Sequence, residues 1–234
     1  MTQIEKKDSP EMFNKIAKTY DLVNRLLSFG LDKRWRKQIS KKIPSRTELH
    51  LVDLATGTAD VIIGLVRENP HITVATGLDL SEGMLEIGRK KVRNKKLDKR
   101  ITLLTGDAQD VKIENDSVAA VTISFGIRNV PDVDQCLREM HRIIDKDGIA
   151  MVLEFSLPKN PIIRFGHLFY LRWVLPVVGG IVSGNFKAYK YLNTTIEDFP
   201  YGDAFCRKMV DAGFSSAKAT PLSFGIATLY EGRK

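Results

Sequence analysis

The chain has 234 residues, 43% hydrophobic and 27% charged, which suits one globular domain with a sizeable core. Two cysteines are too few for a disulfide framework, and no metal-ligand set is expected. The net charge of +8 is compatible with nucleic acid, anionic lipid or acidic substrates and does not choose among them.

Much of the positive charge lies in two runs, Lys33–Arg46 and Arg89–Arg100. Both alternate with apolar residues and read as solvated outer faces of helices. The segment from Met1 to Asp8 lacks the apolar stretch of a signal peptide, so a cytoplasmic location is expected.

Ser9–Ile43 reads as two helices broken near Ser28-Phe29-Gly30, with Ser9-Pro10 as N-cap and first helical residue. Helix-like and strand-like segments then alternate, the pattern of a parallel sheet with crossover helices. Strands are expected at Leu49–Ala55, Ile72–Asp79, Ile101–Gly106, Val118–Phe125 and Ile149–Phe155. Helices are expected at Ala59–Glu68, Glu82–Leu97 and Val133–Ile144. In the last helix Cys136 falls in step with Val133, Met140 and Ile143 and reads as core, as does Cys206 near Met209 and Val210.

Beyond Phe155 the pattern weakens. Asn160–Gly184 is apolar, with breaks expected at Pro161 and Pro176. Arg164, His167 and Arg172 interrupt it, and the uncharged remainder is shorter than the ~20 residues that a membrane span needs. Tyr201–Ala212 reads as a helix. Phe214–Thr220 and Phe224–Tyr230 read as closing strands, joined across Pro221.

Chemistry enters at Asp53-Leu-Ala-Thr-Gly-Thr-Ala-Asp60. A buried strand runs into small residues and a helix starts at once. Gly57 permits a tight turn and close approach of a ligand, and ligands of such sheets bind beyond the carboxyl ends of the strands. The turn lacks G-x-G-x-x-G, which disfavours a nicotinamide or flavin dinucleotide. Asp53 and Asp60 flank the glycine. Two carboxylates cradle phosphate poorly and a cation well, so a ligand carrying an ammonium and a sulfonium, S-adenosylmethionine, is expected here. Asp79 ends the second strand about 20 residues on, a position suited to ribose hydroxyls. Asp107 and Ala108 follow the third strand, where an adenine edge can be read. Ser124 ends the fourth.

The segment after Ser124 lacks the Asn/Asp-Pro-Pro-aromatic motif of enzymes that methylate exocyclic amines, which counts against nucleic-acid N-methylation. It also has no cysteine for the covalent route to pyrimidine C5. His50, His71, His141 and His167 offer no clear general base, and each reads as structural.

At this point the sequence resembles the C-methyltransferases of menaquinone and ubiquinone biosynthesis, from Met12 to Lys234. Four stretches carry the likeness. The first is Phe13-Asn14 through Tyr20-Asp21-Leu-Val-Asn24, with Ser28, Gly30 and Trp35. The second is the turn Asp53–Asp60, and the third is Ser124-Phe-Gly-Ile-Arg-Asn-Val130. The last runs from Tyr189-Lys-Tyr-Leu192 through Phe199-Pro200 and Ala212-Gly-Phe214 to Leu222-Ser-Phe-Gly225. Family members often carry His at Asp32, Pro at Asn193 and glycine at Ala59.

The resemblance implies an α/β fold of the class I S-adenosylmethionine methyltransferase type, a Rossmann-like, seven-stranded, doubly wound sheet. A single domain is expected. It would comprise an N-terminal helical cap (1–45), a cofactor-binding core (46–156), an apolar helical insertion (157–200), and a C-terminal helix with closing strands (201–234). The resemblance implies cofactor contacts at Gly57, Thr58, Asp79, Asp107, Ala108 and Ser124. It places Arg128 and Asn129 beside the substrate and gives Tyr20 a part in closing the site. Arg128 would fix a phenolate by charge or orient a water that carries the proton away; its structural alternative is to cap a helix or pair with a carboxylate. The implied reaction is C-methylation of a polyprenylated quinol, demethylmenaquinol first, with the methoxy-benzoquinol precursor of ubiquinol as the alternative. An RNA methyltransferase and a non-catalytic protein of the same fold are the remoter readings. The stretch Ile162–Val182 can cover a prenyl tail, rest peripherally on the inner face of a membrane, or form a homodimer contact. No nucleic-acid partner is expected.

Overall fold

The computed structural model describes residues 5–234. The first four residues, part of the segment read for a signal peptide, lie outside the described residues.

In chain order the elements are α1 (Ser9–Leu27), α2 (Leu31–Ser40), β1 (Leu49–Leu54), α3 (Asp60–Glu68), β2 (Ile72–Asp79), α4 (Glu82–Asn94), β3 (Ile101–Thr105), β4 (Val118–Ser124), α5 (Val133–Ile143) and β5 (Ile144–Phe155). They continue with α6 (Pro161–Phe169), α7 (Leu175–Ser183), α8 (Phe186–Asp198), α9 (Asp203–Asp211), β6 (Ser216–Leu222) and β7 (Ala227–Arg233). The seven strands form one sheet in the order β3-β2-β1-β4-β5-β7-β6. β1 to β5 pair in parallel, and β7 runs antiparallel between β5 and β6. The order reverses between β1 and β4, which opens a crevice at their carboxyl ends.

Alternation along the strands feeds two cores. Leu51, Ala120 and Met151 face Trp35, Ile62 and Leu85 on one side. Their neighbours Val52, Val121 and Val152 face Leu137, Met140 and Phe205 on the other. Cys136 is fully buried, and burial pushes its thiol up to about 12, so it is inert packing. A third cluster unites α1 with α6, α7 and α8, which together roof the carboxyl ends of the strands. Local capping fixes the starts of several helices. Asp132 Oδ1 accepts the Gln135 N–H at 2.9 Å, Asn160 Oδ1 accepts the Ile162 N–H at 3.0 Å, and Asn185 Oδ1 accepts the Ala188 N–H at 3.1 Å.

The structure departs from the sequence reading in several places. Pro161 starts α6, but Pro176 breaks nothing: α6 and α7 join through a π-helical stretch, Tyr170–Val174. A widened turn relieves the clash and the missing N–H that a proline brings to an α-helix. The result is a 23-residue helix, Pro161–Ser183, long and apolar enough by length and composition to cross a membrane. α8 was not expected; it packs so tightly on α7 that side chains at Gly179 and Gly180 would overlap Tyr189 and Phe186. β5 starts at Ile144 rather than Ile149. The closing hairpin turns at Ser223–Ile226, and Pro221 lies within β6, an edge strand, where its missing N–H is tolerated.

The two basic runs are not wholly solvated either. Arg36 donates to Asp60 at 3.1 Å, Lys91 donates to Asp60 at 2.6 Å, and both are largely buried against the glycine turn.

Asp53 also corrects an expectation. It does not face a ligand. Its side chain is 1% exposed and accepts hydrogen bonds from Thr56 Oγ1 (2.6 Å) and Thr122 Oγ1 (2.5 Å). Burial pushes its pKa up to about 6 in spite of those bonds. The folded protein therefore holds this proton more tightly than the unfolded chain. The stabilisation is fully present below the ordinary aspartate pKa and is lost as pH rises from about 4 to 6, with an order of magnitude of ~3 kcal/mol. Urea unfolding of Asp53→Asn across pH 4–7 should accordingly show a flatter loss of stability than wild type. Parallel pH curves for the two proteins would refute this assignment.

Candidate functional site

The glycine turn is coiled by positive φ at Ala55 (48°), Gly57 (55°) and Ala59 (65°). Only one of the three is glycine, and the left-handed conformation at Ala59 rationalises why glycine is common there in the resembling family. The Gly57 N–H donates to Asp79 Oδ2 at 2.8 Å, and the Ser81 N–H donates to Asp79 Oδ1 at 2.8 Å. The top of β2 is thereby pinned to the turn. Burial raises the Asp79 pKa, and the backbone N–H bonds oppose that. Asp107 is held by Gln109, whose backbone N–H donates to its Oδ1 at 2.9 Å. Ser124 Oγ is buried without a hydrogen-bond partner among the described residues.

Gly57, Asp79, Asp107, Ala108 and Ser124 line one cavity of about 350 Å³. Lys6, Pro10, Phe13 and Tyr20 close it from the N-terminal side. Thr58 is not on its wall. The Thr58 hydroxyl donates to Asp21 of α1 at 2.6 Å and accepts from Lys91 at 3.0 Å. Lys91 also pairs with Asp21 at 2.5 Å. Asp60 is likewise turned away from the cavity, onto Lys91 and Arg36. The expectation that Asp53 and Asp60 cradle a cation is corrected: the carboxylates of this cavity are Asp79 and Asp107.

A second cavity of about 440 Å³ adjoins the first, and Phe13, Tyr20, Phe125 and Asn129 line both. Its wall is mostly apolar, with Met12, Ile16, Trp35, Phe155, Leu171 and Leu175 among its residues. Trp35, Phe125 and Phe155 stack on one another, Phe125 and Phe155 at 4.5 Å between centroids. Polar groups are few. Arg128 Nε, Asn129 Oδ1, His167 Nε2, Tyr189 OH and Tyr191 OH belong to lining residues, are buried and lack partners among the described residues. Burial lowers the His167 pKa and raises that of Tyr20, favouring the neutral form of each. His167, read as structural from the sequence, thus sits on the cavity wall.

Arg128 is 3% exposed; its Nη1 donates to Glu154 Oε1 and to the Phe125 carbonyl, both at 2.6 Å. Glu154 was missed by the sequence reading. Its signal was a lone carboxylate inside the apolar run Met151-Val-Leu-Glu-Phe155, an uncommon place for a charge without a partner. Asp32, where the family often carries His, lines the second cavity and pairs with Arg25 at 2.9 Å.

The chain matches the model of the ubiE/COQ5 methyltransferase family over residues 1–234. It is 41% identical, over 96% of its length and 95% of the relative's, to the ubiquinone/menaquinone biosynthesis C-methyltransferase UbiE of Geotalea daltonii. It is 36% identical to the demethylmenaquinone methyltransferase of Alkalihalophilus pseudofirmus, covering 100% of this chain and 99% of that one. Among solved structures it shares its fold with an S-adenosylmethionine-dependent methyltransferase of Thermotoga maritima (TM-score 0.68, 19% identity, 96% and 99% coverage). It also shares it with phosphoethanolamine N-methyltransferase 2 of Haemonchus contortus in complex with S-adenosylmethionine (TM-score 0.62, 12% identity, 86% and 52% coverage). The seven-stranded sheet, the cavity at its switch point and the match along the whole chain agree: the chain belongs to the ubiE/COQ5 methyltransferase family and is an S-adenosylmethionine-dependent methyltransferase of class I fold.

Proposed function

We propose that this methyltransferase methylates a ring carbon of a polyprenylated quinol, with demethylmenaquinol as the preferred acceptor. One observation carries the reading: the polar cavity at the switch point shares a wall with a larger apolar cavity, and Arg128 and Asn129 stand in the wall of the latter. A polar cofactor and a greasy aromatic acceptor need two such adjoining spaces.

The first cavity fits the cofactor. Asp79 retains lone pairs for ribose hydroxyls after accepting two backbone N–H bonds. Asp107 and Ala108 suit the adenine edge, the backbone at Gly57 allows close approach, and the free Ser124 hydroxyl gives a further contact. When bound, S-adenosylmethionine supplies an electrophilic methyl group on a sulfonium. The chain's own work is to hold the ring carbon against that group, which by positioning alone removes roughly 7–11 kcal/mol of barrier. It also stabilises the electron-rich phenolate form of the ring. Arg128 cannot serve as the base, since guanidinium keeps its proton; its charge, with the Asn129 amide, favours the phenolate. Tyr20 roofs the junction of the two cavities and excludes water. In this scheme residues 5–45 roof one methyltransferase domain and residues 157–200 carry the substrate's tail.

The tail has a route out. Phe29 and Gly166, both exposed, line the apolar cavity and also lie beside an apolar stripe on the outer face of the long helix. That stripe runs through Ile162, Phe165, Phe169, Trp173, Val177 and Ile181, each more than half exposed. Phe29 of the cap packs beside it on Tyr170, and the exposed cations Arg164, Lys187 and Lys190 lie on the same segment, Arg172 being paired with Glu197. A bilayer surface with anionic lipid matches an apolar stripe with cations beside it and is where a prenylated quinol resides. The opposite face of the helix buries Leu171, Leu175 and Gly179 against α1 and α8, so it lies on a membrane rather than across it.

Transfer of a labelled methyl group to demethylmenaquinol and to the methoxy-benzoquinol precursor, side by side, tests the acceptor. The expected product is menaquinol, and failure to label either quinol would refute the proposal. In the same assay Asp79→Ala should bind the cofactor at least about tenfold more weakly by calorimetry, a loss of ~1.4 kcal/mol. The surface reading predicts that wild type floats with vesicles containing anionic lipid. The double variant Phe165→Glu, Trp173→Glu should lose most of that binding while still methylating a short-tailed quinol in solution. A dimer in sedimentation that the double variant dissolves, with no vesicle binding by wild type, would assign the stripe to a second copy instead.

A further inference from the structure

The Arg128–Glu154 pair is unusual in its cost. Both side chains are out of water, at 3% and 0% exposed. A buried ion pair pays a desolvation penalty that its attraction offsets only when the remaining lone pairs and protons are satisfied. Here they are not. Glu154 Oε1 accepts from Arg128 Nη1 at 2.6 Å and from the Phe155 N–H at 2.8 Å, while Glu154 Oε2 has no partner among the described residues. Arg128 Nε is also without one. The guanidinium is fixed from three sides: by the carboxylate, by the Phe125 carbonyl at 2.6 Å and by the Phe155 ring, 5.4 Å from its centroid. Arg128 lines the apolar cavity, and Glu154 stands behind it.

We propose that Glu154 is the positioning residue of the acceptor site: it aims the Arg128 guanidinium at the cavity and, as its counter-charge, sets how strongly that guanidinium favours a phenolate there. The proposal rests on the reading of this cavity as the quinol site. A lone buried Arg128 would carry a full uncompensated charge in the empty protein, and the carboxylate removes it. The same carboxylate opposes the second negative charge that appears when the quinol ionises. Asp32 and Arg36 of α2 and His167 of α6 line the same cavity, and three phenols flank the pair: Tyr20 of α1 and Tyr191 of α8, which feel the Arg128 charge, and Tyr230 of β7, which feels that of Glu154. Burial raises the pKa of all three, so they stay neutral across the working range. Burial raises the Glu154 pKa as well, and Arg128 opposes that rise. Asp32 is paired with Arg25, so the carboxylate in direct contact with Arg128 is Glu154.

Glu154→Gln keeps an oxygen to accept from Arg128 and removes only the charge, whereas Glu154→Leu removes both. With Glu154→Gln the acidic limb of the kcat/KM profile for the quinol should move to lower pH by about one unit, because an unopposed cation favours the phenolate. Calorimetric affinity for the cofactor should stay at the wild-type value. Glu154→Leu, provided its circular dichroism is native, should lose about a hundredfold in kcat as Arg128 loses its orientation. A Glu154→Gln profile superimposable on wild type, or one lowered at every pH without a shift, would overturn the proposal. Arg128→Gln separates it from the reading beneath it. If Arg128→Gln turns over the quinol normally, the quinol-site reading falls and this inference with it. If Arg128→Gln is inactive while Glu154→Gln shows no shift, the inference alone falls.

Discussion

The roof over both cavities depends on one polar tie between α1 and the glycine turn. Asp21 of α1 accepts from Thr58 Oγ1 and pairs with Lys91 of α4, and Lys91 in turn reaches Asp60 at the start of α3. Arg36 of α2 extends the chain of contacts from Asp60. Exposed ion pairs contribute little, but these groups are half-buried or buried and share partners, so each member lowers the cost of ordering the next. A second clasp lies farther along α1. The Asn14 side chain accepts from Ser81 Oγ at 2.7 Å and from the Gly83 N–H at 2.8 Å at the start of α4. Without these ties α1 would rest on its apolar contacts with α7 and α8, on the Arg25–Asp32 pair and on the Tyr170 hydroxyl at Leu27, and the hold on Phe13 and Tyr20 at the junction of the cavities would weaken.

The tie explains the chemistry of the turn better than ligand binding does. A carboxylate beside a bound cation would gain by facing it, yet Asp53 and Asp60 both turn away. Asp53 spends its lone pairs on two threonine hydroxyls that hold β1, β4 and the turn together. Asp60 balances cations that would otherwise be buried unpaired. Charge near the cofactor is left to Asp79 and Asp107, whose positions at the ends of β2 and β3 follow from the sheet rather than from the turn.

Much of this was legible in the sequence, for a definite reason. Residues at the ends of successive parallel strands must share one edge of the sheet, so Asp79, Asp107 and Ala108 could be gathered beside the Gly57 turn, while Ser124 was implied by the family resemblance. What could not be read was direction and long-range pairing. Whether Thr58 points into the crevice or back onto α1 depends on Asp21, 37 residues away. Glu154 gains its meaning only from Arg128, 26 residues earlier on another element. Pro176 looked like a break because local rules have no place for a π-turn, which is tolerated here because tertiary packing against α1 and α8 holds the helix on both sides of it.

The π-turn also bears on how the outer apolar stripe is built. An ideal α-helix repeats every 3.6 residues, so a line of side chains spaced by four drifts around the axis. Phe165, Phe169, Trp173, Val177 and Ile181 are spaced by four throughout, and all are exposed. The wider turn at Tyr170–Val174 takes up part of that drift and keeps the line on one face. On the opposite face the same adjustment lets Leu171 and Leu175 reach the roof cluster while Gly179 and Gly180 meet α8. One local distortion thus serves two surfaces, an inner one that walls the apolar cavity and an outer one that stays unpaired within the chain. A straight helix could satisfy one of them along its whole length, but not both.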